Sequence, residues 1–134
     1  MLKIALIGLG GALGSLLRYA LASALAGPAG PRFPLSTLLV NVSGCFAIGV
    51  LATALAPGGA WPVREDLRLG ILVGVLGGYT TFSSFGLETV NLLRAGMTAE
   101  AIAYVALSNF LGLAAVWLGW RVGVALAAAP APGG

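Results

Sequence analysis

The sequence contains no histidine, a single cysteine and very few charged residues. Of its 134 residues, 8% are charged and 59% hydrophobic, and the mean hydropathy is +1.01. Because a typical soluble domain carries about 25% charged residues, seven basic and four acidic side chains are too few to cover a water-soluble globule. Without histidine, the lone Cys45 excludes a His/Cys metal site and the usual Ser-His or Cys-His catalytic pairs. These absences predict an integral membrane protein that is not an enzyme.

Four apolar segments are long enough to cross a bilayer, which requires about 20 residues per helix. The predicted spans cover residues 4–26, 33–56, 67–93 and 101–120, and residues 127–134 form a predicted flexible tail. The connections between the spans are short. We therefore predict an all-α fold in which residues 1–134 form a single four-helix membrane domain.

The N-terminal segment also imitates two unrelated patterns. Its glycine-rich stretch resembles a dinucleotide-binding loop, but the acidic residue expected about 20 positions later is missing, since the first one is Glu65. Lys3 and the small residues 22–24 resemble a signal peptide with its cleavage site, but the apolar run is too long and contains Arg18. The first span is therefore interpreted as a membrane helix.

The positive charges outside the spans are divided almost evenly between the two membrane faces. Four spans place Lys3, Arg64, Arg68 and Arg121 on one side and Arg32 and Arg94 on the other. Arg18 adds to the second side if it reaches that surface. Orientation follows the excess of Lys and Arg on the cytoplasmic side. A difference this small leaves two alternatives: a fixed topology, or insertion in both orientations, which would permit an antiparallel homodimer.

Polar residues inside the spans mark candidate functional positions, because polar groups in hydrocarbon must face protein or water. Arg18 follows Gly10 and Gly14 at steps of four, so all three share one helix face that another helix can approach closely. Its side chain either snorkels to the membrane surface or places a positive charge at a water-filled mouth that attracts anions. Asn41, in the middle of the second span, offers donors and an acceptor to another helix or to a ligand.

The run GGYTTFSSFGLE at residues 77–88 is the most unusual segment of the chain. Two adjacent glycines weaken the helix and predict a break near residues 77–81, where freed backbone carbonyls would suit a small hard cation. Beyond the break, Phe82 and Phe85 share one face, and the positive edges of their rings can face an anion. A neighbouring polar stripe consists of Thr81, Ser84 and Glu88.

Two further stripes repeat at four-residue spacing. The first, Gly70, Gly74 and Gly78, supports an alternative in which the third span simply packs against another helix. The second, Tyr104, Ser108 and Gly112 in the fourth span, is a polar face that could meet Asn41 or residues 80–85.

Together these motifs resemble the Fluc/CrcB family of fluoride channels. The resemblance rests on the small-residue run ending in Arg18, on LLVNVSGCFAIG around Asn41, on GGYTTFSSF, and on Tyr104 and Ser108. It covers essentially the whole chain. It implies a fluoride-selective passive ion channel that exports fluoride from the cytoplasm and so confers fluoride resistance. It also implies an antiparallel dual-topology homodimer in the bacterial inner (plasma) membrane.

The resemblance further implies roles for particular residues. A structural sodium ion (Na⁺) at the dimer centre would be held by the backbone carbonyls of Gly77 and Thr80. The fluoride pathway would comprise Asn41, Phe82, Phe85, Ser84, Tyr104 and Ser108, with Arg18 shaping the vestibule. Thr81 and Glu88 are left without an assigned role, and the chain has Gly112 where a further hydroxyl is expected. The expected partners are the fluoride ion, the lipid bilayer and a second copy of the chain, and no nucleic acid.

Two other classes remain as alternatives. A small drug/proton antiporter also has four spans, but it needs a membrane-central carboxylate, typically in the first span. This chain has Arg18 in that span, and its only intramembrane carboxylate is Glu88. A non-catalytic assembly or anchoring subunit would use the same polar groups only to join helices, and it would conduct no ion when purified.

Overall fold

The computed structural model describes residues 1–25 and 33–128, and this part of the chain is helical throughout apart from its short connections. The helices are α1 (Leu2–Ala24), α2 (Leu35–Ala54), α3 (Glu65–Leu69), a π-helical segment (Gly70–Leu76), α4 (Gly77–Tyr79), α5 (Phe82–Arg94) and α6 (Thr98–Ala128). The elements from α3 to α5 together form the third span. Four helices, Leu2–Ala24, Leu35–Ala54, Glu65–Arg94 and Thr98–Ala128, are long and apolar enough to cross a membrane. The predicted all-α, four-span architecture is confirmed.

The helix ends agree with the predicted spans except at the C-terminus. α6 continues past residue 120 to Ala128, so the first two residues of the predicted tail, Ala127 and Ala128, are helical. Alanine is the strongest helix former, and the next helix breaker is Pro130. The rest of that tail (129–134), the predicted end of the first span at residue 26 and the charge of Arg32 lie outside the described residues.

α1 packs against the third span through facing glycines. Gly10 lies against the backbone of Gly70 and Gly74, and Gly14 lies against the backbone at Val75. Any side chain at these positions would collide with main-chain atoms, so the two helices approach as closely as their backbones allow. The face predicted for Gly10 and Gly14 is confirmed. The small-residue stripe of the third span is the matching surface, since Gly78 meets Gly11 in the same way.

α2 and α6 form the most extensive helix contact of the described chain. It too depends on glycines, because Gly49 and Gly119 each lie against the backbone of the opposite helix. Gly112 faces α2 at Cys45, where a Cβ would lie 3.6 Å from the sulfur, an ordinary contact distance. The position that lacks the expected hydroxyl is therefore buried between these two helices.

The third span is interrupted at Thr80 and Thr81, which both have extended backbone. Their φ/ψ angles are −80°/158° and −151°/117°. α5 begins immediately afterwards, and the Thr81 hydroxyl accepts a hydrogen bond from the backbone N–H of Ser84 at 3.2 Å, as an N-cap residue does. The break predicted near residues 77–81 is confirmed. The helix persists through Gly77–Tyr79 and opens at the two β-branched threonines, which favour extended backbone.

Candidate functional site

Side chains from the first two spans hold the break in the third. The Asn41 amide oxygen accepts a hydrogen bond from the Thr81 N–H at 2.8 Å, and the amide nitrogen donates to the Thr81 carbonyl at 3.0 Å. From α1, Arg18 Nε donates to the Gly78 carbonyl at 3.2 Å. This hydrogen bond places the Arg18 guanidinium at the break. A break inside a membrane span requires such partners, because unpaired main-chain groups are costly away from water.

A cavity of about 340 Å³ lies beside the break, and we call it the aromatic cavity. The predicted site residues that line it are Asn41, Gly77, Thr80, Phe82, Phe85 and Ser108. The Phe82 and Phe85 ring centroids are 5.5 Å apart, which confirms that the two rings share a face. Phe82 is 84% exposed in the single chain. The Ser108 hydroxyl is buried and has no hydrogen-bond partner within the described residues.

A second cavity, of about 350 Å³, lies on the α1 side of the break, and we call it the vestibule. Arg18, Ser36, Thr37, Thr81, Ser84 and Glu88 contribute to its lining. It therefore contains Arg18 and Glu88, the two charged side chains that the sequence places away from the ends of the predicted spans. In the part of the chain that the structure describes, the recorded ion pairs join surface residues, and neither Arg18 nor Glu88 takes part in one.

Glu88, whose role the sequence leaves open, is held by two hydroxyl groups. Thr37 donates to Oε1 and Tyr104 donates to Oε2, each at 2.7 Å. The fully buried Tyr104 ring also packs against Phe85, with ring centroids 5.2 Å apart, and edge-on against Phe33 at 5.6 Å. Tyr104 therefore joins the two cavities: its hydroxyl contacts the vestibule residue Glu88, and its ring contacts an aromatic-cavity residue.

The six predicted pathway residues are thus distributed over three places. Asn41, Phe82, Phe85 and Ser108 line the aromatic cavity, Ser84 lines the vestibule, and Tyr104 is buried between them. Thr37 is not among the site residues predicted from the sequence. The available signal was its position four residues before Asn41, which puts both polar side chains on one face of α2. Thr81, also without an assigned role, contributes to both cavities and caps α5.

The backbone around the break also fits a small cation. Within residues 1–25 and 33–128, the carbonyls of Gly77 and Thr80 accept no hydrogen bond. The Gly78 carbonyl between them accepts one from Arg18. Carbonyls of unwound membrane helices are ligands that proteins use for Na⁺. Gly77 and Thr80 both line the aromatic cavity, so one chain brings two such carbonyl groups to it.

The hydrogen bond between Tyr104 and Glu88 gives a first testable prediction. We expect Tyr104→Phe to lower the free energy of unfolding by about 1.5–3 kcal/mol, because it leaves one oxygen of a partly buried carboxylate without its donor. Denaturant titration of the purified protein in detergent measures the change. Tyr19→Phe is the matched control, since Tyr19 is 73% exposed, and it should change stability by less than about 0.5 kcal/mol. Equal effects of the two substitutions would contradict the prediction.

The fold and the two cavities define a class: a small membrane transport protein, built from four spans around a broken helix whose irregular backbone lines a cavity. A family model described as "CrcB-like protein, Camphor Resistance (CrcB)" matches residues 5–120. The chain belongs to the CrcB family.

Several relatives carry the name "Fluoride-specific ion channel FluC". One from Thermus thermophilus is 49% identical over 126 residues, which cover 94% of this chain and 98% of the relative. Another from Opitutus terrae is 51% identical over 120 residues, covering 90% and 91%, and one from Rhodospirillum rubrum is 48% identical over 120 residues, covering 90% and 92%. The resemblance seen in the sequence is confirmed. The prediction that the protein is not an enzyme agrees with these names.

Proposed function

We propose that this protein is a fluoride-selective passive channel that lets fluoride leave the cytoplasm and so confers fluoride resistance. The observation that carries the proposal is the pair of cavities on either side of the helix break, joined through Tyr104. Relatives that are about half identical over nearly their whole length, and that bear a fluoride-channel name, support it.

The aromatic cavity offers what a small, strongly hydrated anion needs in place of water. The Asn41 amide uses one of its two N–H donors on the Thr81 carbonyl and retains the other. Ser108 contributes a hydroxyl without a partner, and Phe82 and Phe85 contribute positive ring edges. None of these groups carries a fixed positive charge. Binding can therefore be strong enough for entry and weak enough for exit, as conduction requires.

The vestibule supplies the attraction that brings an anion to these donors. Among the described residues that line it, Arg18 is the basic one, and a positive charge in a confined cavity raises the local anion concentration. Glu88 opposes this field, but each of its oxygens already accepts a hydrogen bond from a hydroxyl. The same arrangement disfavours the antiporter alternative. A carboxylate that exchanges protons for a cationic drug must be available to that drug, and here it shares its cavity with Arg18.

We also propose an antiparallel dual-topology homodimer with a structural sodium ion at its centre, in the bacterial inner (plasma) membrane. Gly77 and Thr80 would hold the ion through their carbonyls, and the second copy would supply the same pair, since two oxygens do not complete a coordination shell. The 84% exposure of Phe82, which lies at the same cavity, supports a face that a second copy covers.

Anion efflux from liposomes that contain the purified chain tests the channel. With sodium present and the membrane potential clamped by a potassium ionophore, we expect fast fluoride efflux and no chloride efflux above that of empty liposomes. Failure of a folded, correctly inserted protein to release fluoride would reject the channel. A drug-dependent proton flux would then favour the antiporter, and complete inactivity would favour the assembly subunit.

A further inference from the structure

We propose that Asn41 and Thr81 are positioning residues for the cation site. Their side-chain oxygens accept hydrogen bonds from two backbone N–H groups that would otherwise donate to the carbonyls of Gly77 and Thr80. This inference rests on the proposed function, because the sodium ion is part of that proposal. It gives Asn41 a task that is separate from contact with fluoride, and it gives Thr81 the role that the sequence did not assign.

The first carbonyl, that of Gly77, lacks a helical donor because Asn41 binds that donor. In a continuous α-helix the N–H of residue 81 donates to the carbonyl of residue 77, four positions earlier. The preceding residue keeps this pattern, since the Thr80 N–H donates to the Leu76 carbonyl at 3.0 Å. The next bond is missing, because the Thr81 N–H donates instead to the Asn41 amide oxygen at 2.8 Å. The Gly77 carbonyl is therefore left without its helical partner.

The second carbonyl, that of Thr80, lacks a helical donor because the Thr81 side chain binds that donor. The helical partner of the Thr80 carbonyl would be the N–H of Ser84, again four residues later. This N–H donates to the Thr81 hydroxyl at 3.2 Å, and α5 begins with Thr81 as its N-cap. The same threonine is itself held in place by both hydrogen bonds of Asn41. One side chain from α2 and one at the break thus account for both free oxygens.

Loss of either residue should allow a helical hydrogen bond to compete with the cation. Without the Asn41 amide, the Thr81 N–H has the Gly77 carbonyl as its nearest alternative in sequence. Without the Thr81 hydroxyl, the Ser84 N–H has the Thr80 carbonyl. In both cases one cation ligand is occupied by an internal donor, so the affinity for sodium should fall while the helices remain packed through their glycines.

The test is the sodium dependence of thermal unfolding of the purified full-length protein. Sodium chloride is titrated against N-methylglucamine chloride at constant ionic strength, and the midpoint of the stabilisation is recorded for each variant. We expect Asn41→Leu and Thr81→Val each to raise this midpoint about tenfold, the scale of one competing main-chain hydrogen bond. Thr81→Ser keeps the hydroxyl and should restore the native midpoint.

Two matched variants separate this role from simple helix packing. Asn109 also carries an amide at the aromatic cavity, but it donates to the Val105 carbonyl of its own helix. Thr89 carries a hydroxyl that donates to the Phe85 carbonyl within α5. We expect Asn109→Leu and Thr89→Val to change the unfolding temperature at every sodium concentration without moving the midpoint.

The possible results are distinguishable. Midpoints of Asn41→Leu and Thr81→Val within twofold of the native value would overturn this inference and leave the sodium site in place. A native protein whose unfolding does not respond to sodium would overturn both this inference and the sodium part of the proposed function, without touching fluoride conduction. If Asn41→Leu does not fold, the difference in sodium midpoint between Thr81→Val and Thr81→Ser decides whether the inference stands.

Discussion

Fluoride efflux should slow by about tenfold or more when either Phe82 or Phe85 is replaced by isoleucine. Isoleucine is apolar and fills much of the same space, but it lacks the electropositive ring edge that can face an anion. Both rings line the aromatic cavity. A tenfold change corresponds to about 1.4 kcal/mol, which is within the range of aromatic electrostatic contacts. Liposome efflux under the conditions described above measures the change.

Phe110→Ile is the matched control for this experiment. Phe110 lies on α6, is 73% exposed and lines neither the aromatic cavity nor the vestibule, so efflux should be unchanged. Because Phe85 also packs against Tyr104, the unfolding temperature of each variant must be recorded beside its efflux rate. Native efflux from both Phe82→Ile and Phe85→Ile would retain the channel but remove the phenylalanine rings from its pathway.

The second large effect, a loss of stability, is expected from a substitution in α1. A Cβ at Gly14 would collide with the Val75 carbonyl and lie 2.8 Å from the Tyr79 nitrogen. Both are main-chain atoms of the third span and cannot rotate away, so α1 must move outward. We expect Gly14→Ala to lower the free energy of unfolding by about 3 kcal/mol or more, at the upper end of overpacking effects.

Gly8→Ala provides the comparison on the same helix. A Cβ at Gly8 meets nothing within 4 Å, and alanine is the better helix former, so stability should stay equal or rise by up to about 1 kcal/mol. Unfolding in detergent, with size-exclusion profiles to detect misfolded material, measures both variants. A Gly14→Ala protein as stable as Gly8→Ala would show that the first and third spans do not make this contact.

The broken third span shows how far local sequence can carry a prediction. Residues 77–81 combine two glycines with two threonines in the middle of an apolar run, and the break occurs there. Such a feature is local because it depends on the conformational preferences of adjacent residues. The π-helical turns of Gly70–Leu76, just before the break, have no comparable sequence signal.

Arg18 and Glu88 show where local information ends. Arg18 was equally compatible with a position at the membrane surface and with one at a cavity, and its partner is a carbonyl 60 positions away. The role of Glu88 was open because its two donors come from other spans, 51 and 16 positions away. No pattern within one helix indicates which residue of another helix will face it.

Run length, composition and contiguous motifs were enough to predict the membrane class, the four spans, the site of the helix break and the family. The contacts between spans could be read from the three-dimensional structure alone: Arg18 and Asn41 hold the break, and Thr37 and Tyr104 hold Glu88. The same holds for the predicted pathway residues, which are divided between two cavities and the tyrosine that joins them. The physical reason is the close approach of the helices. Glycines bring backbones into contact across spans, and that contact sets which polar side chain meets which main-chain group.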